Sequence, residues 1–549
     1  MNGFVNRLLF VSSLISLQVL SGAGMHPAQG QEAAPEIPSF GASAAYAPVV
    51  PYVDKYGQKI SADWPGKITS DSQLKQSAVD EAKKLDIWDK AAVSNDNFGA
   101  YHAAGWHVAG TGYYRPLQHN GIWWLITPNG YPCFYKGLTN APALIWETTP
   151  VTGREGIFAD LPDKNGPFAA AWHGDAWGVD PGIQSFAFCS ANLMRKYGAD
   201  WKNSFRNVTT HRVKAWGFSG FGKWGDFVPA VPTIVVLNRT GVPTPDGIYH
   251  PDPFDPATQS KLKDVLSAQI TPHLTDPYLV AWSVGNEGAE IIQIDEIEAI
   301  LVGPDSVPAK RAMVDYAIDT IYQGNVEKTA AAWGDTADHP ATRASLYVFV
   351  PSYMPSIDIE SLREFYSDKY YQLIYKTVKS IDHHHIYAGF WVVEGFTVDE
   401  PDWDLIAKNC DVVGFDLYDF DFSKHGSDSL FASTGKPVLC GEFSFPQSLP
   451  SRGYSDFGVL SLKDETASGE AYAHFASTAA KNPYCIGICW FQYRDQPITG
   501  RGPGFGPDLI YGENYPFGLV DITDNPKWTL LNVIHDTNIT LSKVHAGAR

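Results

Sequence analysis

The sequence predicts an α/β fold of the (β/α)8 TIM barrel type, with a helical insertion and a short N-terminal extension. Eight short apolar runs between residues 131 and 493 each end in polar or glycine-containing loops and are separated by helix-capable stretches. They lack strict alternation, as expected of strands in a parallel sheet covered on both faces. The length of 549 residues suits one barrel domain of about 250 to 400 residues with insertions and flanking segments. An open doubly wound sheet would call for a phosphate-cradling glycine loop after an early strand, and none is present.

The first four runs are YPCFYKG at 131–137, VKAWGFSGFG at 213–222, PTIVVL at 232–237 and LVAWSVGNE at 279–287. The later four are HIYAGFWV at 385–392, CDVVGFDLYD at 410–419, PVLCGEFSF at 437–445 and CIGICWFQY at 485–493. The longest spacer, 288–384, is helical in character and reads as an elaboration of the fourth connection. Ahead of the barrel, the stretch SQLKQSAVDEAKKLDIWDKAAV predicts a helix whose apolar stripe is Leu74, Val79, Leu85 and Trp88.

Residues 1–25 read as a secretory signal, with Arg7 before the apolar run LLFVSSLISLQVL and small residues after it. A retained membrane anchor is the alternative. Residues 26–115 form a linker and N-terminal flanking region, its first part rich in Ala, Pro and Gly; 116–530 form the catalytic domain and 531–549 a C-terminal tail. No later segment offers 18 uninterrupted apolar residues, so a secreted or periplasmic protein without stable membrane insertion is expected. The six Cys lack the spacing of a disulfide framework and read mostly as buried small hydrophobes, a Cys410–Cys440 bridge being the alternative. Sequons stand at Asn207, Asn238 and Asn538.

A formal charge of −19 argues against nucleic acid as a partner, because phosphate binding draws on Lys and Arg. It also favours a neutral polymer over an anionic one. The 17 Trp, 27 Tyr and 29 Phe supply rings that stack on the apolar faces of sugars, although most such rings belong to the core.

The chemistry-bearing residues stand at strand ends. Glu287 closes AWSVGNE and Glu442 sits in VLCGEFSF; barrel sites are assembled from the C-terminal ends of different strands. A lone glutamate there is more often a cap or an ion-pair partner, but two at matching positions suit glycoside cleavage. That reaction needs one protonated carboxyl for the departing oxygen and one carboxylate facing the anomeric carbon. Glu287 is assigned as acid/base and Glu442 as nucleophile, with the carboxyls about 5 to 5.5 Å apart for retention, whereas about 6.5 to 9.5 Å would signal inversion.

No cofactor and no metal are expected. His383, His384 and His385 are consecutive and precede a strand, which is the wrong end for a barrel site. GFGKWG at 220–225 lacks the Lys-Ser/Thr of a phosphate loop, and no convincing GxSxG elbow supports an esterase.

At these motifs the chain resembles the clan A retaining glycoside hydrolases, and most closely the family 50 β-agarases. The resembling pieces are GIWWLITPNGYPCFYKG, AWGFSGFGKWGD, DPFDP, DPYLVAWSVGNE, KPVLCGEFSF, ICWFQYRDQPITGR and YGENYPFGLVDITD, spread over roughly residues 117–527. The resemblance implies hydrolysis of β-1,4 linkages in agarose, a neutral galactan, without a cofactor. It implies that Asn286 binds the sugar 2-hydroxyl, that Tyr418 orients the nucleophile, and that Trp490 is the sugar platform, followed by Gln492. Trp391 in GFWVVEG stands where the agarase pattern has a basic residue.

Beside the resemblance, Asp416 reads as a structural carboxylate supporting the site, and Arg452 as either a substrate contact or an ion-pair partner. Asp495 and Glu513 lie in a glycine-rich segment after the last strand that is expected to wall the cleft. A β-galactosidase or β-glucanase of the same clan would keep both glutamates. A noncatalytic carbohydrate-binding protein would keep the aromatic contacts and lack the acid pair. Oligomeric state is not legible.

Overall fold

The computed structural model describes residues 51–91, 96–336, 340–393, 400–423, 427–503 and 510–548. The stretch 1–25, read as a secretory signal, and the expected tether up to residue 50 lie outside the described residues. Nine strands form one curled parallel sheet: β1 (Tyr135–Leu138), β2 (Gly220–Phe221), β3 (Thr233–Leu237), β4 (Leu279–Val284), β5 (Ile386–Tyr387), β6 (Val392–Val393), β7 (Val413–Asp416), β8 (Val438–Phe443) and β9 (Cys485–Trp490). Their order is β5-β4-β3-β2-β1-β9-β8-β7-β6. All eight predicted runs contribute to this sheet.

The expected closed eight-stranded barrel is corrected to an open, distorted one. The run 385–392, read as a single strand, is broken: β5 pairs with β4 and β6 with β7, and the sheet ends between them. Gly389 and Trp391, both in left-handed backbone (φ 77° and 55°), turn the chain there. Single hydrogen bonds still span the gap, from the Ala388 N–H to the Trp282 carbonyl (2.7 Å) and from the Gly414 N–H to the Ala388 carbonyl (2.8 Å).

The run 213–222 supplies only two strand residues. Its first part ends helix α2 (Trp201–Ala215), whose buried Trp201, Phe205, Thr209, Arg212 and Val213 follow helical spacing. The insertion is helical as predicted, with Ile294–Val302, Pro308–Tyr316, Val326–Ala332 and Arg343–Val348 leading into the long helix α3 (Ser356–Ile381).

Apolar side chains fill two layers. Tyr135, Ile234, Ala281, Trp391, Leu439 and Cys489 pack inside the curled sheet, while Leu138, Trp282, Phe415, Phe443 and Trp490 face the surrounding helices. Helix α4 (Glu465–Lys481) packs on helix α5 (Trp528–Asn538), near the C-terminus. The N-terminal extension carries the predicted helix, α1 (Asp71–Ala91).

Leu74 and Leu85 of that helix are buried, but Val79 is 51% exposed. The inward position between the two leucines belongs to Glu81, four residues before Leu85. Its carboxylate receives Arg212 at 2.5 Å, and the same guanidinium reaches Asp524 at 2.8 Å. Lys196 adds a 3.0 Å pair to Asp524. A wholly buried ion network thus ties the N-terminal extension to the closing segment of the chain.

All six cysteines are free and buried, so the Cys410–Cys440 bridge does not form. The Asn538 sequon is also buried, its amide donating to the Trp216 carbonyl. Among the described residues, no helix is long and apolar enough to cross a membrane.

Candidate active site

A bulge in β8 and a left-handed turn after β4 aim the two glutamates into the mouth of the curled sheet. The β7–β8 register shifts between Phe415 and Asp416, and the β8–β9 register between Cys440 and Phe443. Both shifts come from one extra residue in β8 beside Gly441, and such a bulge re-aims a side chain at a sheet rim; it turns Glu442 inward while Phe443 stays in the outer layer, whereas Asp416 faces inward by ordinary alternation with Phe415. Glu287 follows β4 in left-handed backbone (φ 50°), its N–H directed at the carbonyls of Phe390 and Trp391 at 3.0 and 3.1 Å. The break between β5 and β6 therefore also anchors Glu287. One oxygen each of Glu287, Asp416 and Glu442 lie within 4.8 Å of one another.

Lys223, two residues beyond β2, enters this cluster fully buried. Its ammonium donates to Asp416 Oδ2 (2.5 Å) and to Asn286 Oδ1 (2.6 Å), and lies 3.1 Å from Glu442 Oε1. Glu442 also accepts from the Trp224 indole at Oε1 (3.0 Å) and from the Tyr418 hydroxyl at Oε2 (2.7 Å). Three carboxyl oxygens at this spacing form a set that could hold a cation, but the ammonium already supplies positive charge among them.

Burial, then the charge of Glu442, push Glu287 up to about 7 against the opposing pull of Lys223. Burial also pushes Asp416 well above the usual carboxylate range, with Lys223 opposing. Burial works against the charge of Lys223 itself, but Asp416, Glu442 and Glu287 outweigh it and raise its pKa.

Trp391 forms the floor. Its indole N–H donates to Ser283 Oγ (2.6 Å), and the Lys223 ammonium sits 5.1 Å from its ring centroid. A Cβ at Gly441 would fall 2.4 Å from the Trp391 ring, and one at Gly414 2.7 Å from it, so both glycines make room for this side chain. Along one side run three half-buried indoles, Trp224 5.5 Å from Trp146 and Trp146 5.8 Å from Trp177.

The structure brings Glu287, Glu442, Asn286, Tyr418 and Asp416 together. It does not bring Trp490 there: that side chain is 1% exposed in the outer layer against Phe443 and Tyr472, its indole donating to the carbonyls of Gln492 and Phe517. Gln492 is buried, donating to Glu147 and accepting from Asn140 and Arg501. Glu513, half-buried, accepts from Gln496 and Arg501, and its charge reaches Glu287.

Arg452 stacks over Trp64 and shares a separate hollow with Asp495. Asp495 is itself buried, accepting from Lys527 (2.7 Å) and the Gly518 N–H (2.7 Å). Sequence reasoning missed Lys223, Trp224, Trp146 and Trp177. The one available signal was the Lys-Trp pair just past an apolar run, at the strand end where both glutamates also stand.

A curled parallel sheet with an acid pair at its mouth is the arrangement expected of a clan A-like glycoside hydrolase. More particularly, the chain is a homologue of the family 50 β-agarases. β-Agarase B of Vibrio sp. (strain JT0107) is 26% identical over 525 residues, covering 86% of this chain and 53% of that protein. β-Agarase A of the same strain is 24% identical over 533 residues, covering 88% and 51%. The chain thus spans about half the length of these curated relatives. The solved structure of an exo-β-agarase superimposes with a TM-score of 0.77 at 25% identity, covering 90% of this chain and 73% of that one. The agarase AgWH50C gives the same TM-score at 24% identity, covering 90% and 74%. No protein-family model matches the chain.

Proposed function

We propose that this chain is an exported retaining glycoside hydrolase that cleaves β-1,4-galactosidic bonds in agarose or a related neutral galactan, with its catalytic domain over residues 116–530. The observation that carries the reading is the close carboxyl pair: Glu287, pushed up to about 7, beside Glu442, which accepts from Tyr418 and Trp224 and pairs with Lys223. A carboxyl that keeps its proton suits the acid, and one held by two donors and an ammonium suits the nucleophile.

At and below neutrality the protonated form of Glu287 is well populated, and it delivers its proton to the glycosidic oxygen as that bond breaks. Glu442 attacks the anomeric carbon from the opposite side, forming a glycosyl ester. Glu287, now a carboxylate, takes a proton from water, which opens the ester and releases a sugar of the original configuration. Oxygens within 4.8 Å support direct attack, since inversion needs room for a water between the carboxyls. Trp224, Trp146 and Trp177 take the stacking role that the resemblance gave to Trp490. The similarity to β-agarases A and B supports galactan as the substrate class.

The test is hydrolysis of a panel of agarose, porphyran, other galactans and β-glucans, following the anomeric protons of the first-formed products by NMR. Agarose cleavage with retained configuration, abolished in Glu287→Gln and Glu442→Gln proteins that remain folded, is the expected result. Initial inversion, or unchanged turnover in both variants, overturns the reading.

A further inference from the structure

We infer that Lys223 is the positioning residue of this site: it holds the Glu442 carboxylate in place and turns the Asn286 amide so that its NH2 group faces the sugar. The inference rests on the glycosidase reading for its consequence and on geometry for its substance. An ammonium has three donors and no acceptor, and this one has three acceptors within reach: Asp416 Oδ2, Asn286 Oδ1 at 2.6 Å and Glu442 Oε1 at 3.1 Å. It is fully buried, so water does not compete for those bonds.

A group that only donates requires Asn286 to present its carbonyl oxygen. The NH2 end is thereby left for the cleft, pointing the donor that a sugar hydroxyl needs. Asp416, buried and bonded to the same ammonium, fixes the lysine from below. The cation also sits over the Trp391 ring, so charge, amide orientation and floor are set by one side chain.

A second consequence concerns Glu287, which feels Glu442 from β8, Asp416 from β7, Glu513 from the closing segment, and Lys223. The ammonium favours the carboxylate form of Glu287. Without it Glu287 keeps its proton to higher pH, so the basic limb of activity moves upward.

The test compares Lys223→Met, Lys223→Arg and the double variant Lys223→Met/Asp416→Asn on neoagarohexaose. The double variant removes both buried charges together and guards against a single variant that does not fold. The methionine forms are expected to lose about 100-fold in kcat, with KM changed less than about threefold, because the lost contacts act on the transition state. Their basic limb moves up, and Lys223→Arg, which keeps the charge, returns it toward the wild-type position. Wild-type kcat and an unmoved limb in the methionine variants overturn the inference, as do equal losses in Met and Arg variants without a limb shift. If the wild-type protein leaves neoagarohexaose and every glycan of the panel intact, the glycosidase reading falls. Lys223 is then judged by infrared titration of the Glu287 carboxyl band, assigned with Glu287→Gln: a higher midpoint in Lys223→Met supports the inference, and an unmoved one ends it.

Discussion

Replacing Tyr418 by Phe removes one oxygen from the wall of the site and leaves the ring, which packs edge-on against Phe457 at 5.4 Å. Glu442 keeps Trp224 and Lys223 on Oε1 but loses the 2.7 Å donor on Oε2. A hydrogen bond to a charged acceptor contributes about 1.5–3 kcal/mol. If that bond serves to hold the attacking oxygen in line, the loss falls on the first chemical step and corresponds to about a 10- to 150-fold drop in kcat/KM. Stopped-flow measurement of leaving-group release from an activated aryl β-galactoside reads this step directly, with the melting temperature recorded in parallel. A loss below about threefold in a normally folded variant contradicts the role given to Tyr418, and so does a change confined to KM.

Glu513→Gln removes a negative charge that raises Glu287, so Glu287 gives up its proton at lower pH and the basic limb of the pH–rate profile moves down; an upward shift is the contrary result. Arg212→Met leaves Lys196 as the one cation shared by Glu81 and Asp524 among the described residues and is expected to cost about 3–5 kcal/mol in urea unfolding, with little change in KM. Trp490→Ala, at a buried outer-layer position, is expected to lose about 3–5 kcal/mol of stability while the folded fraction keeps its KM for agaro-oligosaccharides. A selective rise in KM would return that side chain to the sugar site.

The strands were legible because a parallel sheet covered on both faces needs unbroken apolar runs, and each of the eight runs supplies part of the sheet. The break inside 385–392 was not, since its cause is a side chain: Trp391 occupies the interior only because Gly414 and Gly441 leave room, and those glycines lie on other strands. Glu287 and Glu442 stood out as acids after apolar runs. Lys223 did not, because a loop lysine is ordinarily solvated and its partner Asp416 lies 193 residues away.

Trp490 was misplaced for a geometric reason. Neighbouring strand residues face opposite sides, and it is the adjacent Cys489, not Trp490, that points into the sheet's interior. Similarly, choosing the apolar Val79 over the helical phase passed over Glu81, whose buried charge is satisfied by residues more than a hundred positions away.

The division of labour between the two glutamates is tested most directly by incubating the protein with an activated 2-deoxy-2-fluoro-β-galactoside and mapping the adduct by mass spectrometry of its peptides. A stoichiometric sugar ester on Glu442, formed in the wild type and absent from Glu442→Gln, is the predicted result. An adduct on Glu287 or Asp416, or hydrolysis of agarose with inverted products and no adduct at all, would contradict it.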